Sequence, residues 1–188
     1  MMNNSEKTDI KIPPRLYDSI ESKVVSLYVE QNIKEIPINP MKIAINRGYK
    51  LVPFSFLDSE IIEQIGECDA INFFNTENNQ FEIYYDDSKS LERLRFTIMH
   101  EIGHIDLGHK EESNLAKKMA DYYAAYALAP SPLIHVEKCE NSFDLAEKFK
   151  ISLECANFCF MRYENWYKYS SRNKQYELKL ISLFINEN

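Results

Sequence analysis

Apolar residues recur at three- and four-residue intervals in some stretches of the chain and alternate with polar ones in others. These two periods lay out its elements. In PPRLYDSIESKVVSLYVEQN, Leu16, Ile20, Val24, Leu27 and Tyr28 fall at i, i+4, i+8, i+11 and i+12, predicting an amphipathic helix that opens at the prolines. NPMKIAINRGY predicts a second, short helix ended by Gly48. YKLVPFSF and AINFFNTENNQFEIYYDD are rich in aromatic and branched residues and predict strands. The latter, broken by turn-forming NTENNQ, reads as a hairpin. A long helix is predicted from about 89 to 107, capped by Asp87, Ser88 or Ser90 and closed by Gly108. After the loop HKEESN, another helix spans about 113 to 129 and stops at APSP. SFDLAEKFKISLECANFCFMRYENWYKYS predicts two short helices parted near Ile151-Ser152, and YELKLISLF reads as weakly strand-like.

Strands early and helices late predict an α+β fold: a small, mostly antiparallel sheet packed on helices. The expected organisation is a flexible stretch over 1–12, a main domain over 13–135 and a helical segment over 136–188 packed on it. With 188 residues, 45% of them hydrophobic, the chain can bury an ordinary core. A net charge of −7 disfavours direct nucleic-acid binding, which draws on a basic surface. The opening MMNNSEKTDIKIPP lacks a signal peptide's apolar stretch, and no segment has the roughly 18 apolar residues of a membrane span. Cys68, Cys139, Cys155 and Cys159 are too scattered for a disulfide scaffold and read as free thiols. The expectation is a cytoplasmic protein.

The candidate chemistry lies in FTIMHEIGHIDLGH, residues 96–109. On a helix advancing about 100° per residue, Leu91, Leu94, Ile98, Ile102 and Ile105 share a core-facing stripe. Glu92, Arg95 and Asp106 fall on an arc that can meet water. His100 and His104 sit nearly opposite the stripe, with Arg93 and Thr97 on their side and Phe96 and Leu107 beside them. A face of two imidazoles bracketed by apolar side chains predicts a cover over it. Gly103, costing about 1 kcal/mol against alanine, points to close approach by another backbone.

Histidines at i and i+4 point the same way, about 6 Å apart along the axis, and can share one tetrahedral Zn²⁺ at about 2.0–2.1 Å. Glu101 is rotated by about 100°, so it flanks such a site and can act as general base toward water activated there. His109, past Gly108, reads as a loop residue. A third protein ligand is expected from a later helix. In NLAKKMADYYAAYALAP, Ala116, Ala120, Ala124 and Ala127 form a seam of small side chains that admits close helix packing. Asp121, its one acid, can bind the metal directly, orient a ligand histidine, or stay solvated. Glu111, Glu112 or water are the other candidates for the third position.

These residues resemble the ImmA/IrrE family of His-Glu-x-x-His metallopeptidases. LRFTIMHEIGHIDLGH and ADYYAAYALAPSPLI are similar to the family's Arg-Phe-Thr lead into the histidine helix and to its Glu-x-Glu-Ala-Asn/Asp-x-Phe-Ala helix ending in Leu-x-Pro. The likeness spans about Arg93 to Ile134. SFDLAEKFKISLECANFCFMRY is more weakly similar to a helix-turn-helix-like segment that often follows. The resemblance implies a zinc endopeptidase, with Mn²⁺ a possible substitute. His100 and His104 would be metal ligands and Glu101 the general base, acting on a helix-turn-helix repressor encoded beside it on a mobile element or in a stress-response locus. One departure stands out: Lys117 and Met119 occupy the positions of the family's two glutamates.

Three functions compete on this reading. The first is a peptidase whose substrate strand lies along a sheet edge. The second is an antirepressor that captures a repressor without cutting it, favoured by Lys117 and Met119. The third, DNA binding through 142–163, is disfavoured by the mixed charge of that segment. Its Leu145, Phe149, Leu153, Phe158 and Phe160 instead suit packing against the main body or a partner.

Overall fold

The computed structural model describes residues 11–111, 113–170 and 174–185. Residues 1–10 of the expected flexible stretch lie outside these; Ile12 packs into the core. Helix α1 (Pro14–Glu30) begins at its proline, whose fixed φ suits a first turn, and buries Ile20, Val24, Leu27 and Tyr28 as the period predicts. The Tyr28 hydroxyl donates to the Ala127 carbonyl at 2.8 Å, fixing this helix to a later one. Helix α2 (Pro40–Asn46) is capped by the Asn39 side chain, which accepts from the Lys42 amide at 3.1 Å. Gly48, at φ 73°, then turns the chain into strand β1 (Lys50–Pro53).

The expected strand through Phe56 is cut short. Phe54–Phe56 forms a 3-10 turn held by Asp87, whose carboxylate accepts from the Ser55 amide at 3.0 Å and hydroxyl at 2.7 Å. Helix α3 (Ser59–Ile65), not expected from the sequence, buries none of its residues, so its packing leaves little periodic signal. The hairpin is present as β2 (Ala70–Asn75) and β3 (Gln80–Tyr85). Its turn is built by Asn75 Oδ1, which accepts from the amides of Glu77 and Asn78, and by Asn79 at φ 52°.

The sheet corrects one expectation. Its order is β1-β3-β2; β2 pairs with β3 antiparallel, while β1 lies parallel to β3, with Leu51 opposite Ile83. The sheet is therefore mixed. A tight turn compels antiparallel pairing of β2 and β3, whereas the long connection between β1 and β3 leaves their relative direction open.

Helix α4 (Leu91–Leu107) is capped by Ser90, whose hydroxyl accepts from the Arg93 amide, and ends at Gly108 in the left-handed region. Ile98 and Ile102 are fully buried, but Leu91 is 60% exposed because the first turn projects beyond the core. Arg95, expected to meet water, is buried. Its Nη2 donates to the carbonyls of Ile38 at 2.6 Å and Phe149 at 3.1 Å, so it ties the α4 helix to two distant segments.

Helix α5 (Asn114–Leu128) follows, capped by Ser113, and then α6 (Ser131–Val136), which starts within the proline segment that ends α5. Helices α7 (Ser142–Phe149) and α8 (Leu153–Tyr169) part at Ile151-Ser152 as expected, though α8 runs to 17 residues. Leu145 and Phe149 are buried completely, so α7 is part of the core. Cys139 and Cys159 are buried free thiols, and Cys68 is exposed. The last element, α9 (Gln175–Ile185), corrects the strand reading of YELKLISLF. Tyr176, Leu180, Leu183 and Phe184 recur at helical spacing and pack on the core together.

Helices α4 and α5 pack more extensively on each other than any other pair of elements. Ala116, Ala120, Ala124 and Ala127 are all buried, and the expected seam is there. Gly103 makes the close approach possible, though its neighbour is a side chain and not a backbone. A Cβ at this position would stand 3.0–3.1 Å from Cδ1, Cβ and Cγ of Tyr123. These are atoms near the tyrosine backbone in a packed interface, so they yield poorly. Gly103→Ala gains about 1 kcal/mol of helix propensity and loses about 1–3 kcal/mol to overpacking. The expected net effect is a destabilisation of about 1 kcal/mol, read from urea unfolding midpoints; a more stable variant would contradict the tight contact.

Candidate metal centre

The site is assembled on the side of α4 that faces α5. One helical turn separates His100 from His104, and their Nε2 atoms converge to 3.0 Å. Two nitrogens bound to one tetrahedral ion at 2.0–2.1 Å stand about 3.3 Å apart, so the two rings lie within a few tenths of an ångström of that spacing. The outer nitrogen of each ring is engaged elsewhere. His100 Nδ1 lies 2.8 Å from Asp121 Oδ1 on α5, and His104 Nδ1 lies 3.1 Å from Nδ1 of His109.

Glu101 follows His100 on the helix, offset from the pair by about 100°, and is buried. Asn72 Nδ2 donates to Glu101 Oε2 at 2.5 Å. Asn72 sits on β2, at one edge of the sheet, so this bond places the carboxylate beside an exposed strand edge. Its neighbours Ile71 and Phe73 point to the opposite face and are about 40% exposed.

The electrostatics favour neutral imidazoles. His104 is pulled down to about 4 by burial, by the neighbouring rings of His100 and His109 and by Lys117, against the opposing pull of Asp121. His109 is lowered too, by burial and by His100. A ring that stays neutral at pH 7 keeps a lone pair for a cation, the form metal ligation requires.

Of the residues singled out from sequence, His100, Glu101, His104 and Asp121 meet here. Asp121 contacts the outer nitrogen of His100, not the space between the two Nε2 atoms. Glu111 is exposed on the loop, and Glu112 lies outside the described residues. Lys117 is exposed and Met119 packs against the core, so neither supplies a carboxylate. Among the described residues, no group of three or more His, Cys, Asp or Glu side chains is arranged to hold a metal ion. The protein thus offers a cation two converging imidazole nitrogens, a fit for half of a tetrahedral shell.

Two participants escaped the sequence reading. His109 is not an idle loop residue: Gly108, at φ 68°, turns the chain so that the His109 amide donates to the His104 carbonyl, and the two rings meet 4.9 Å apart. The left-handed stop after the helix was the available signal. Asn72 carried none, because its role depends on the register of β2 against α4. The fourth histidine, His135, lies elsewhere, among the rings of Tyr163, Trp166 and Tyr167.

An α+β fold with a His-Glu-x-x-His helix packed beside a small sheet, its glutamate bonded to the edge strand, has the layout of a metallopeptidase. The family model for the IrrE N-terminal-like domain, peptidase M78, matches residues 69–161, from just before β2 through most of α8, and the chain belongs to this family through that segment. No curated protein matches the chain. Among the described residues no helix is long and apolar enough to cross a membrane.

Proposed function

We propose that this protein is a zinc-dependent endopeptidase that cleaves a helix-turn-helix repressor protein and so relieves repression. The observation that carries the reading is the convergence of His100 and His104 at 3.0 Å beside a buried glutamate bonded to an edge strand. His100 and His104 would hold the ion. Zinc in such a place supplies Lewis acidity, which makes water nucleophilic near neutral pH and polarises a carbonyl.

The chain's own residues account for the rest. Glu101 takes the proton of the attacking water and hands it to the departing amine. Asn72 holds that carboxylate in place through its 2.5 Å bond. An extended peptide adds to the edge of β2 through main-chain hydrogen bonds, which brings its carbonyls past Glu101. Asp121 orients His100: a hydrogen bond from Nδ1 to the carboxylate keeps the proton off Nε2. The family supports a protein substrate and a metal. The repressor, the mobile-element setting and a cytoplasmic location rest on the sequence resemblance. Residues 13–135 are the peptidase-like unit of this proposal, and the described residues of 136–188 are a helical segment packed on it, joined through Arg95.

A second reading has its own observation. With Lys117 and Met119 where the family carries glutamates, the protein would bind the repressor and block it without cutting. The two are separated by Glu101→Gln. Cleavage of the co-expressed repressor is expected to fall at least 100-fold while zinc content stays unchanged, since general-base catalysis contributes about 10²–10⁴-fold. Relief of repression that survives the substitution would establish the non-cutting reading. For Asp121, Asp121→Asn keeps an acceptor for His100 and is expected to hold zinc within about tenfold of the parent, whereas Asp121→Ala loses about 10–100-fold in competition with a chelator. Equal losses in both variants would make Asp121 a direct ligand.

A further inference from the structure

Resting on the metal-site reading above, we propose that His109 is a positioning residue that lets His104 exchange tautomers, donating to it without metal and accepting from it with metal. The contacts determine this once the protons are placed. His100 Nδ1 faces the Asp121 carboxylate, which only accepts, so a neutral His100 carries its proton on Nδ1 and presents a bare Nε2. That bare nitrogen stands 3.0 Å from Nε2 of His104. Without an ion, two lone pairs at this distance repel, so His104 must carry its proton on Nε2 and donate it to His100. The Nδ1 of His104 is then an acceptor, and the atom 3.1 Å away, His109 Nδ1, must be its donor. The result is one chain of hydrogen bonds running His109 to His104 to His100 to Asp121, every link with one donor and one acceptor.

Holding a cation reverses the first part of that chain. Both Nε2 lone pairs must then face inward, so the proton of His104 belongs on Nδ1. The partner there has to accept, and His109 does so by carrying its own proton on Nε2. A residue that only donates, or only accepts, satisfies one of the two states and leaves a partly buried nitrogen unpaired in the other. Histidine serves both because its two tautomers exchange the roles of its nitrogens. The Asp121 carboxylate cannot do this for His100 and has no need to, since His100 keeps its proton on Nδ1 throughout. The two outer partners differ because the two ligands differ.

The fold holds His109 where this requires. Gly108 in the left-handed conformation ends α4, and the His109 amide returns to the His104 carbonyl at 3.1 Å, which sets the two rings edge to face. His109 is half-buried, so solvent does not readily replace it.

The test uses the full chain with His109→Leu, which keeps bulk but no hydrogen bond, and His109→Asn, whose amide offers a donor and an acceptor near the position of Nδ1. Nitrogen-15 NMR of the imidazoles in metal-free and zinc-loaded protein reads the tautomers directly. Chelator competition reads affinity, and urea unfolding of the metal-free protein reads folding. The expected result is His104 protonated on Nε2 without metal and on Nδ1 with it, and His109 switching in the opposite sense. His109→Leu should lose about 10–100-fold in zinc affinity and His109→Asn less than tenfold, with unfolding midpoints near the parent's. A His104 tautomer that is the same in both states, or His109→Leu binding zinc as tightly as the parent, overturns the proposal. If the parent binds no zinc, the metal reading fails. The metal-free spectra of the parent then still decide the donor role, supported when His104 carries its proton on Nε2 and His109 on Nδ1, and overturned when His109 carries its proton on Nε2.

Discussion

The close seating of α4 on α5 is the constraint from which the site follows. Gly103 leaves no side chain to hold the helices apart, and Tyr123 fills the space against it. The same tyrosine donates its hydroxyl to Asp106 on α4, so the contact is pinned at both its apolar and polar ends. Asp106 in turn accepts from Arg47 Nη1 at 2.6 Å, and Arg47 Nη2 reaches the exposed Glu30 at 2.9 Å, which draws α1 and the end of α2 into one ion-pair network. With the two helices this close, a short aspartate on α5 spans the gap to His100. Wider packing would leave His100 and Asp121 beyond hydrogen-bond reach and the His100 ring free to rotate.

Burial at this interface also sets the charge state. His104 stays neutral because desolvation and two neighbouring rings oppose its protonation. Glu101 is buried yet has an amide partner in Asn72, so it keeps its orientation beside the strand edge. Against these stands Lys117, an exposed cation on α5 whose charge also reaches His104. Its charge disfavours a divalent ion nearby, though solvent screening limits the effect at an exposed ammonium. Were an ion held here, its affinity would depend on how well the two rings are held, which would give Asp121 and His109 more weight than they would have in a three-ligand cage.

Much of this was legible in the chain. The period of α1, the cap of α4 and the alanine seam are local signals, and local signals survive folding. The His-Glu-x-x-His spacing places two imidazoles on one face by geometry alone. What stayed hidden depended on distant partners. Arg95 looked solvated because its arc on α4 is polar, yet it is buried against carbonyls from residues 38 and 149. The parallel pairing of β1 depended on where a long connection leads, and Asn72 on the register of an edge strand over a helix. The C-terminal segment was misread for a different reason: its branched and aromatic residues suit strands, but their spacing is helical, and packing followed the spacing.

Everything functional here requires that His100 and His104 grip one ion between them. Elemental analysis of the purified protein beside His104→Ala tests that most directly. About one zinc per chain in the parent, falling to trace levels in the variant while its far-ultraviolet spectrum stays unchanged, is the predicted result. Equal metal content in the two proteins, or none in either after purification in zinc-supplemented buffer, would contradict it.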